Sequence, residues 1–200
     1  MPKRVDHTER RTEIAEALLR VAARRGLHAV GMRDVAAEAG VSLRLVQYYF
    51  ETKEKLLLYG LEQLTTRFGE RVAARLETAG RHPGPRARIE AILGAALPSD
   101  EESRVFHLVL TSYAVLSLTD EVLAAQPFIR DPDAAEATLT ALLEEAEADD
   151  LLQPGVDARL EAAGLLAMSA GLGTGILVGQ RSPESAAAIL DHRLDRIFLT

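Results

Sequence analysis

Ser42, Leu43, Arg44, Leu45, Gln47, Tyr48, Tyr49 and Lys53 crowd into twelve consecutive positions of this 200-residue chain. Against a DNA major groove these types have defined partners. Arg reaches guanine O6/N7 or a phosphate, Gln pairs with adenine N6/N7, apolar groups meet thymine methyls, and Tyr hydroxyls bond phosphate oxygens. Base-reading and phosphate-gripping groups therefore share one stretch, and they can act together only if one rigid element presents them.

The surrounding residues supply that element. Met32, Val35, Ala36 and Ala39 recur at three- and four-residue spacing, which predicts a helix of about two turns with one face on a core. Gly31 stands where an N-cap belongs, Arg33 follows in the first turn, and Gly40 can take the left-handed conformation that ends the helix. Val41 can plug the space between helices. Ser42 can cap a second helix over residues 43–50, in which Val46 and Phe50 form the buried edge and the polar set projects outward. The stretch 26–55 reads as a DNA-binding helix-turn-helix.

The segment from Thr12 to Leu64 resembles the tetracycline-repressor (TetR) family of bacterial regulators, through the amphipathic first helix ending in Arg25-Gly26, then MRDVAAEAGVS, VQYYF and ETKEKLL. The resemblance implies that Leu43, Arg44, Leu45, Gln47, Tyr48 and Tyr49 form the recognition helix and that Lys53, at the start of helix 4, holds phosphate. A helix N-terminus adds partial positive charge there. Val30-Gly31 and Gln47 depart from the family pattern, which usually has Thr before the second helix and Tyr at the Gln47 position. These departures imply fewer phosphate contacts and an altered sequence preference within the same class.

The net charge of −7 at first argues against DNA, but its distribution does not. Residues 1–55 hold 11 Lys/Arg against 8 Asp/Glu, whereas residues 56–200 hold 12 against 22, so the basic excess lies on the reading head. Lys3, Arg4, Arg10 and Arg11 are read as an arm on phosphates. With zero cysteines there are no disulfides, thiolate metal sites or thiol redox sensors. The acidic run Glu144-Glu145-Glu147-Asp149-Asp150 has no nearby His and reads as a solvated helix face, so no metal or cofactor is expected. No nucleophile–base constellation is readable, and an enzyme is not expected. A membrane span of roughly 18 to 20 apolar residues is not expected, and the N-terminus lacks a signal-peptide core. A cytoplasmic protein is expected.

The remaining chain reads as helices between breakers: 9–25, 53–78, 86–97, 102–118, 133–149, 156–178 and 183–198, with Pro127 and Pro132 interrupting. No strand-period alternation is found, which predicts an all-α fold: a three-helix head over residues 1–52 and a helical body over 53–200. By resemblance the body is the effector-binding and dimerisation domain. Phe106, His107, Thr111, Tyr113 and Met168 are candidate lining of an effector pocket for a small apolar molecule, with Phe128 a further candidate. His107, among Phe106, Leu108, Val109 and Leu110, also fits a packed core histidine. The run GLGTGILVG lacks a preceding strand and reads as small residues that let helices approach, not as a dinucleotide loop. Gly171 and Gly175 there, with the stripe Leu190, Leu194, Ile197 and Phe198, are expected in a symmetric homodimer interface. The function expected is an effector-responsive regulator, a repressor binding a palindromic operator as a homodimer. The alternative is a DNA-binding regulator governed by a protein partner or by no ligand.

Overall fold

A computed structural model describes residues 7–119, 121 and 133–199; Lys3, Arg4, Pro127, Phe128 and Pro132 lie outside these residues. Among the described residues the chain forms α1 (His7–Arg25), a 3-10 turn (Leu27–Ala29), α2 (Met32–Glu38), α3 (Leu43–Phe50), α4 (Lys53–Thr78), α5 (Pro85–Ala96) and α6 (Glu101–Ser117). Then follow α7 (Asp133–Ala148), α8 (Ala158–Leu177) and α9 (Pro183–Ile197). The only β-pairing among the described residues is an isolated antiparallel bridge between Leu152 and Phe198. The all-α expectation holds, with a helix-turn-helix followed by a helical body.

The contacts divide the chain into two compact units, Met1–Arg67 with Leu108–Ala124, and Phe68–His107 with Ala125–Thr200. In the first unit, Ile14, Leu18, Val21 and Ala22 bury the predicted α1 stripe, and Val35, Val46, Phe50, Leu56, Leu57, Leu61 and Leu64 complete the core. Gly60 lets α4 close on α1, since a Cβ there would lie 2.7 Å from Leu18 Cδ2.

The second unit is built on Ile89, Leu93, Leu139, Leu143, Leu165, Leu190 and Leu194, drawn from α5, α7, α8 and α9. Its chain end is tied by backbone bonds, Gln153 N–H to Ile197 O at 2.8 Å and Leu199 N–H to Leu151 O at 2.7 Å. α8 corrects one expectation. It is 20 residues long with mean hydropathy 1.4 over its most apolar window, enough by length and composition to cross a bilayer. Glu161 interrupts its first turn, and Ala162, Leu165 and Leu172 sit in the unit's core.

Candidate nucleic-acid interface

The turn between α2 and α3 forms as its sequence dictates. Gly31 caps α2, and its N–H donates to Asp34 Oδ2 at 3.2 Å. Gly40 takes φ +65°, a left-handed value that costs a side-chain-bearing residue energy. The Val41 N–H then closes on Ala36 O at 2.9 Å, and Ser42 Oγ accepts the Leu45 N–H at 3.2 Å as the N-cap of α3. Burial of Val46 and Phe50 fixes the rotation of α3. Consequently Arg44, Gln47 and Tyr48 are exposed, Tyr48 to 67 %, while Leu43, Leu45 and Tyr49 flank them half-buried. Lys53 opens α4, whose first turn is capped by Thr52 Oγ1 accepting the Lys55 N–H at 3.2 Å.

The basic side chains of this unit fall into two groups. Arg20 Nε donates to Glu38 Oε1 at 2.9 Å, Arg24 grips the same carboxylate, and Arg25 pairs with Asp34 at 2.9 Å. The Arg24 and Arg20 guanidiniums hold the Glu38 carboxyl below the usual carboxylate range. Lys55 pairs with Glu51 at 2.7 Å and Arg67 with Glu16 at 2.5 Å. These cations are spent inside the unit, brace α1 against α2, or staple helix ends.

Arg33, Arg44 and Lys53 have no carboxylate within 4.0 Å among the described residues; Arg33 and Arg44 are exposed and Lys53 half-buried. A field of uncompensated cations beside exposed Gln and Tyr suits a polyanion that presents readable base edges. Arg10 and Arg11 do not join this field. Arg10 bonds Glu13 at 2.5 Å, and the Arg11 guanidinium lies 4.4 Å from the Tyr59 ring and 5.3 Å from that of Phe50. A quadrupole–cation contact holds Arg11 on the first unit's own aromatic surface, so the expected phosphate arm loses both residues.

The candidate effector residues fall in both units. In the second unit, Phe106 is buried and stacks on Phe68 with ring centroids 5.1 Å apart, and the Arg71 guanidinium lies 5.2 Å from the Phe106 ring. Arg71 Nη2 donates to Ala95 O at 3.1 Å. His107 is buried, with Nε2 3.4 Å from Thr174 Oγ1. Burial pushes the imidazole below its ordinary value, and a hydrogen bond with the Ala96 backbone partly offsets this. Its ring rests on α8 at Gly173, where a Cβ would meet Cε1 at 2.1 Å and Nδ1 at 2.5 Å. His107 is thus a packed, hydrogen-bonded core histidine. Met168 is half-buried against the same core.

Tyr113 and Thr111 belong to the first unit. Tyr113 is fully buried. Thr111 is exposed and, with His28, Ser112, Val115 and Leu116, lines an open cavity of about 310 Å³.

The candidate interface residues need correction. Leu190, Leu194, Ile197 and Phe198 are between 0 and 4 % exposed within one chain, packed against α5, α7 and α8. Their stripe is core, in one apolar cluster with Ile89, Leu93, Leu139, Leu143, Leu165 and Leu172. Gly175 is buried beside Arg181, whereas Gly171 is exposed, with nothing among the described residues within 4 Å of its Cβ position. What remains open along α8 and its C-cap is a stripe of which sequence reasoning found the small residues Gly164, Ala167 and Gly171 but missed Leu160, Thr174 and Val178. All six are exposed, Leu160 to 71 % and Val178 to 62 %. The alternating four- and three-residue spacing that adds Leu160, Thr174 and Val178 was readable too, but the more hydrophobic α9 stripe masked it.

A helix-turn-helix with a capped recognition helix and free cations, followed by a helical body, defines a DNA-binding transcriptional regulator. A family model for bacterial regulatory proteins of the tetR family matches residues 14–59, and one for the C-terminal region of BetI-type transcriptional repressors matches residues 85–199. The chain belongs to the tetR family. It is 30% identical over 175 residues to the HTH-type transcriptional regulator PksA of Bacillus subtilis, covering 86% of this chain and 80% of that protein. It is 36% identical to the regulator BetI of Agrobacterium fabrum over 101 residues, about half of each protein's length. Among solved structures, a transcriptional regulator from Saccharomonospora viridis in complex with choline aligns with TM-score 0.84 and 25% identity, over 96% of this chain and 100% of that one. A Rhodococcus regulator aligns with TM-score 0.77 and 29% identity, over 94% and 95%.

Proposed function

We propose that this protein is a cytoplasmic repressor whose two copies bind a palindromic operator and release it when a small molecule binds. The observation that carries the reading is the set of uncompensated cations, Arg33, Arg44 and Lys53, around exposed Gln47 and Tyr48. In this division of labour residues 1–52 read DNA, through Arg33, Ser42, Leu43, Arg44, Leu45, Gln47, Tyr48 and Tyr49, joined by Lys53 at the start of α4, while the rest of residues 53–200 sense and dimerise.

Dimerisation serves the function, since one short recognition helix reads too few bases and two heads about one DNA turn apart read a palindrome. The exposed α8 stripe supports such pairing: small residues flanked by Leu160 and Val178 let two copies of one helix approach closely. A Cβ at either of its glycines would meet nothing within 4 Å among the described residues.

The effector is a small, mostly apolar molecule, with Phe106, His107 and Met168 as candidate contacts in the second unit and Thr111 and Tyr113 as separate candidates in the first. One structural relative holds choline, a quaternary ammonium. Here the Phe106 ring already carries the chain's own cation, Arg71, which favours a ligand that does not compete for that face.

The experiment is selection of duplexes from a random-sequence pool by the full-length protein, followed by sedimentation and binding by anisotropy. A two-fold symmetric sequence, bound by a dimer with affinity falling steeply as salt rises, is the expected result. Sequence-blind binding, or a monomer on a single half-site, refutes the proposal.

A further inference from the structure

His7 and Arg11, one helical turn apart on α1, both face aromatic rings of the head. Arg11 caps Phe50 and Tyr59, whose rings belong to the buried side of the unit. His7 instead meets the exposed side of the recognition helix. Its ring centroid lies 5.5 Å from that of Tyr49 at an interplanar angle of 65°, and 6.4 Å from that of Tyr48 at 46°. The two tyrosines are themselves edge-to-face, 5.3 Å apart at 80°. These separations lie in the range where aromatic quadrupoles attract.

The cluster does little for the core. Tyr48 is 67 % exposed and His7 is exposed, so the contacts bury little surface while restricting three side chains. Giving up rotamer freedom on a solvent face without burial is an expense that folding does not recover. It is recovered when a partner arrives, because a side chain already in its bound orientation loses less entropy on binding.

We propose that His7 is a positioning residue for DNA binding: the first residue of α1 holds Tyr48 and Tyr49 in the arrangement that meets the phosphate backbone. This rests on the reading of Tyr48 and Tyr49 as phosphate contacts. The mechanism is through the ring face and edge of His7, not through its nitrogens. A phenylalanine at position 7 therefore does the same work, and an alanine does not.

The test uses full-length protein and two fluorescein-labelled duplexes, the sequence selected by the wild-type protein and a mixed-sequence control. His7→Ala weakens binding to both by about three- to tenfold, the ordering entropy that the released tyrosines must then lose on binding. Both duplexes are affected alike because phosphates carry no sequence information. His7→Phe binds within about twofold of wild type, and in a Tyr48→Ala/Tyr49→Ala background His7→Ala costs nothing further, as a double-mutant cycle requires for coupled residues. The melting temperature of His7→Ala stays at the wild-type value, which separates positioning from a structural role.

Wild-type affinity in His7→Ala, equal losses in His7→Phe and His7→Ala, an undiminished loss without the tyrosines, or a lowered melting temperature with unchanged affinity would each overturn the proposal. If Tyr48→Ala/Tyr49→Ala itself binds both duplexes like wild type, the underlying reading of the tyrosines fails instead, and the inference falls with it.

Discussion

Gly173→Ala is a small substitution with a large geometric conflict. The new methyl would sit 2.1 Å from His107 Cε1, 2.5 Å from Nδ1 and 2.8 Å from Nε2, so the ring as a whole stands in its way. That ring is buried and engaged with Ala96 and Thr174, which leaves it little room to swing. Overpacking of this kind costs about 1–3 kcal/mol. Against it stands the helix-propensity gain of alanine over glycine, about 1 kcal/mol. The upper half of the overpacking range applies because three rigid atoms overlap, giving a net loss of about 1–2 kcal/mol and a fall of roughly 2–8 °C in melting temperature for a chain of this size.

The sign should invert once the ring is gone. In a His107→Ala background only the propensity term survives, so Gly173→Ala should then stabilise by up to about 1 kcal/mol. Urea denaturation of the four proteins, followed by circular dichroism, measures the cycle. Destabilisation of equal size in both backgrounds would refute the packing argument, because it would place the conflict somewhere other than the imidazole.

Three further outcomes are expected. Leu194→Glu puts a charge where the native side chain is 0 % exposed and should unfold the second unit, at a cost of several kcal/mol. Leu160→Glu, on the open α8 stripe, should stay folded and sediment as a monomer; a folded monomeric Leu194→Glu or a dimeric Leu160→Glu contradicts the assignment. His107 is held neutral by burial, so protonation favours the unfolded chain: its contribution is intact above the ordinary histidine value of about 6.5 and is lost as pH falls below it. The wild type should therefore lose more stability than His107→Gln between about pH 7.5 and about pH 5.5, and equal losses in urea titrations would refute this. Tyr49→Phe should weaken binding to all duplexes alike, whereas Gln47→Ala should relax discrimination at one base position by about 1–3 kcal/mol; unchanged preference in a base-substitution series would assign Gln47 to the backbone.

The head was legible because its signals are local. Gly40, Ser42 and the Val46–Phe50 pair each act within one or two turns, so spacing alone orients α3. Tertiary partners are not local. Nothing in the sequence distinguishes Arg11, drawn onto Tyr59, from Arg33, which stays free, because the difference is what lies across from each. Gly173 looked like any glycine of GLGTGILVG, and only the His107 ring packed against it singles it out. The α9 stripe was read correctly as apolar and wrongly as an interface. Periodicity tells that a face is covered, not by which chain.

The most direct test of the central claim is the salt dependence of affinity for the selected duplex, compared between free and spent cations. Arg44→Ala and Lys53→Ala should each reduce the slope of log K against log salt by about 0.9, one phosphate contact apiece. Arg20→Ala, whose guanidinium is held by Glu38 at 2.9 Å, should leave the slope unchanged and lower only the melting temperature. An unchanged slope in both Arg44→Ala and Lys53→Ala, or an equal reduction in Arg20→Ala, would contradict the assignment of this surface to DNA.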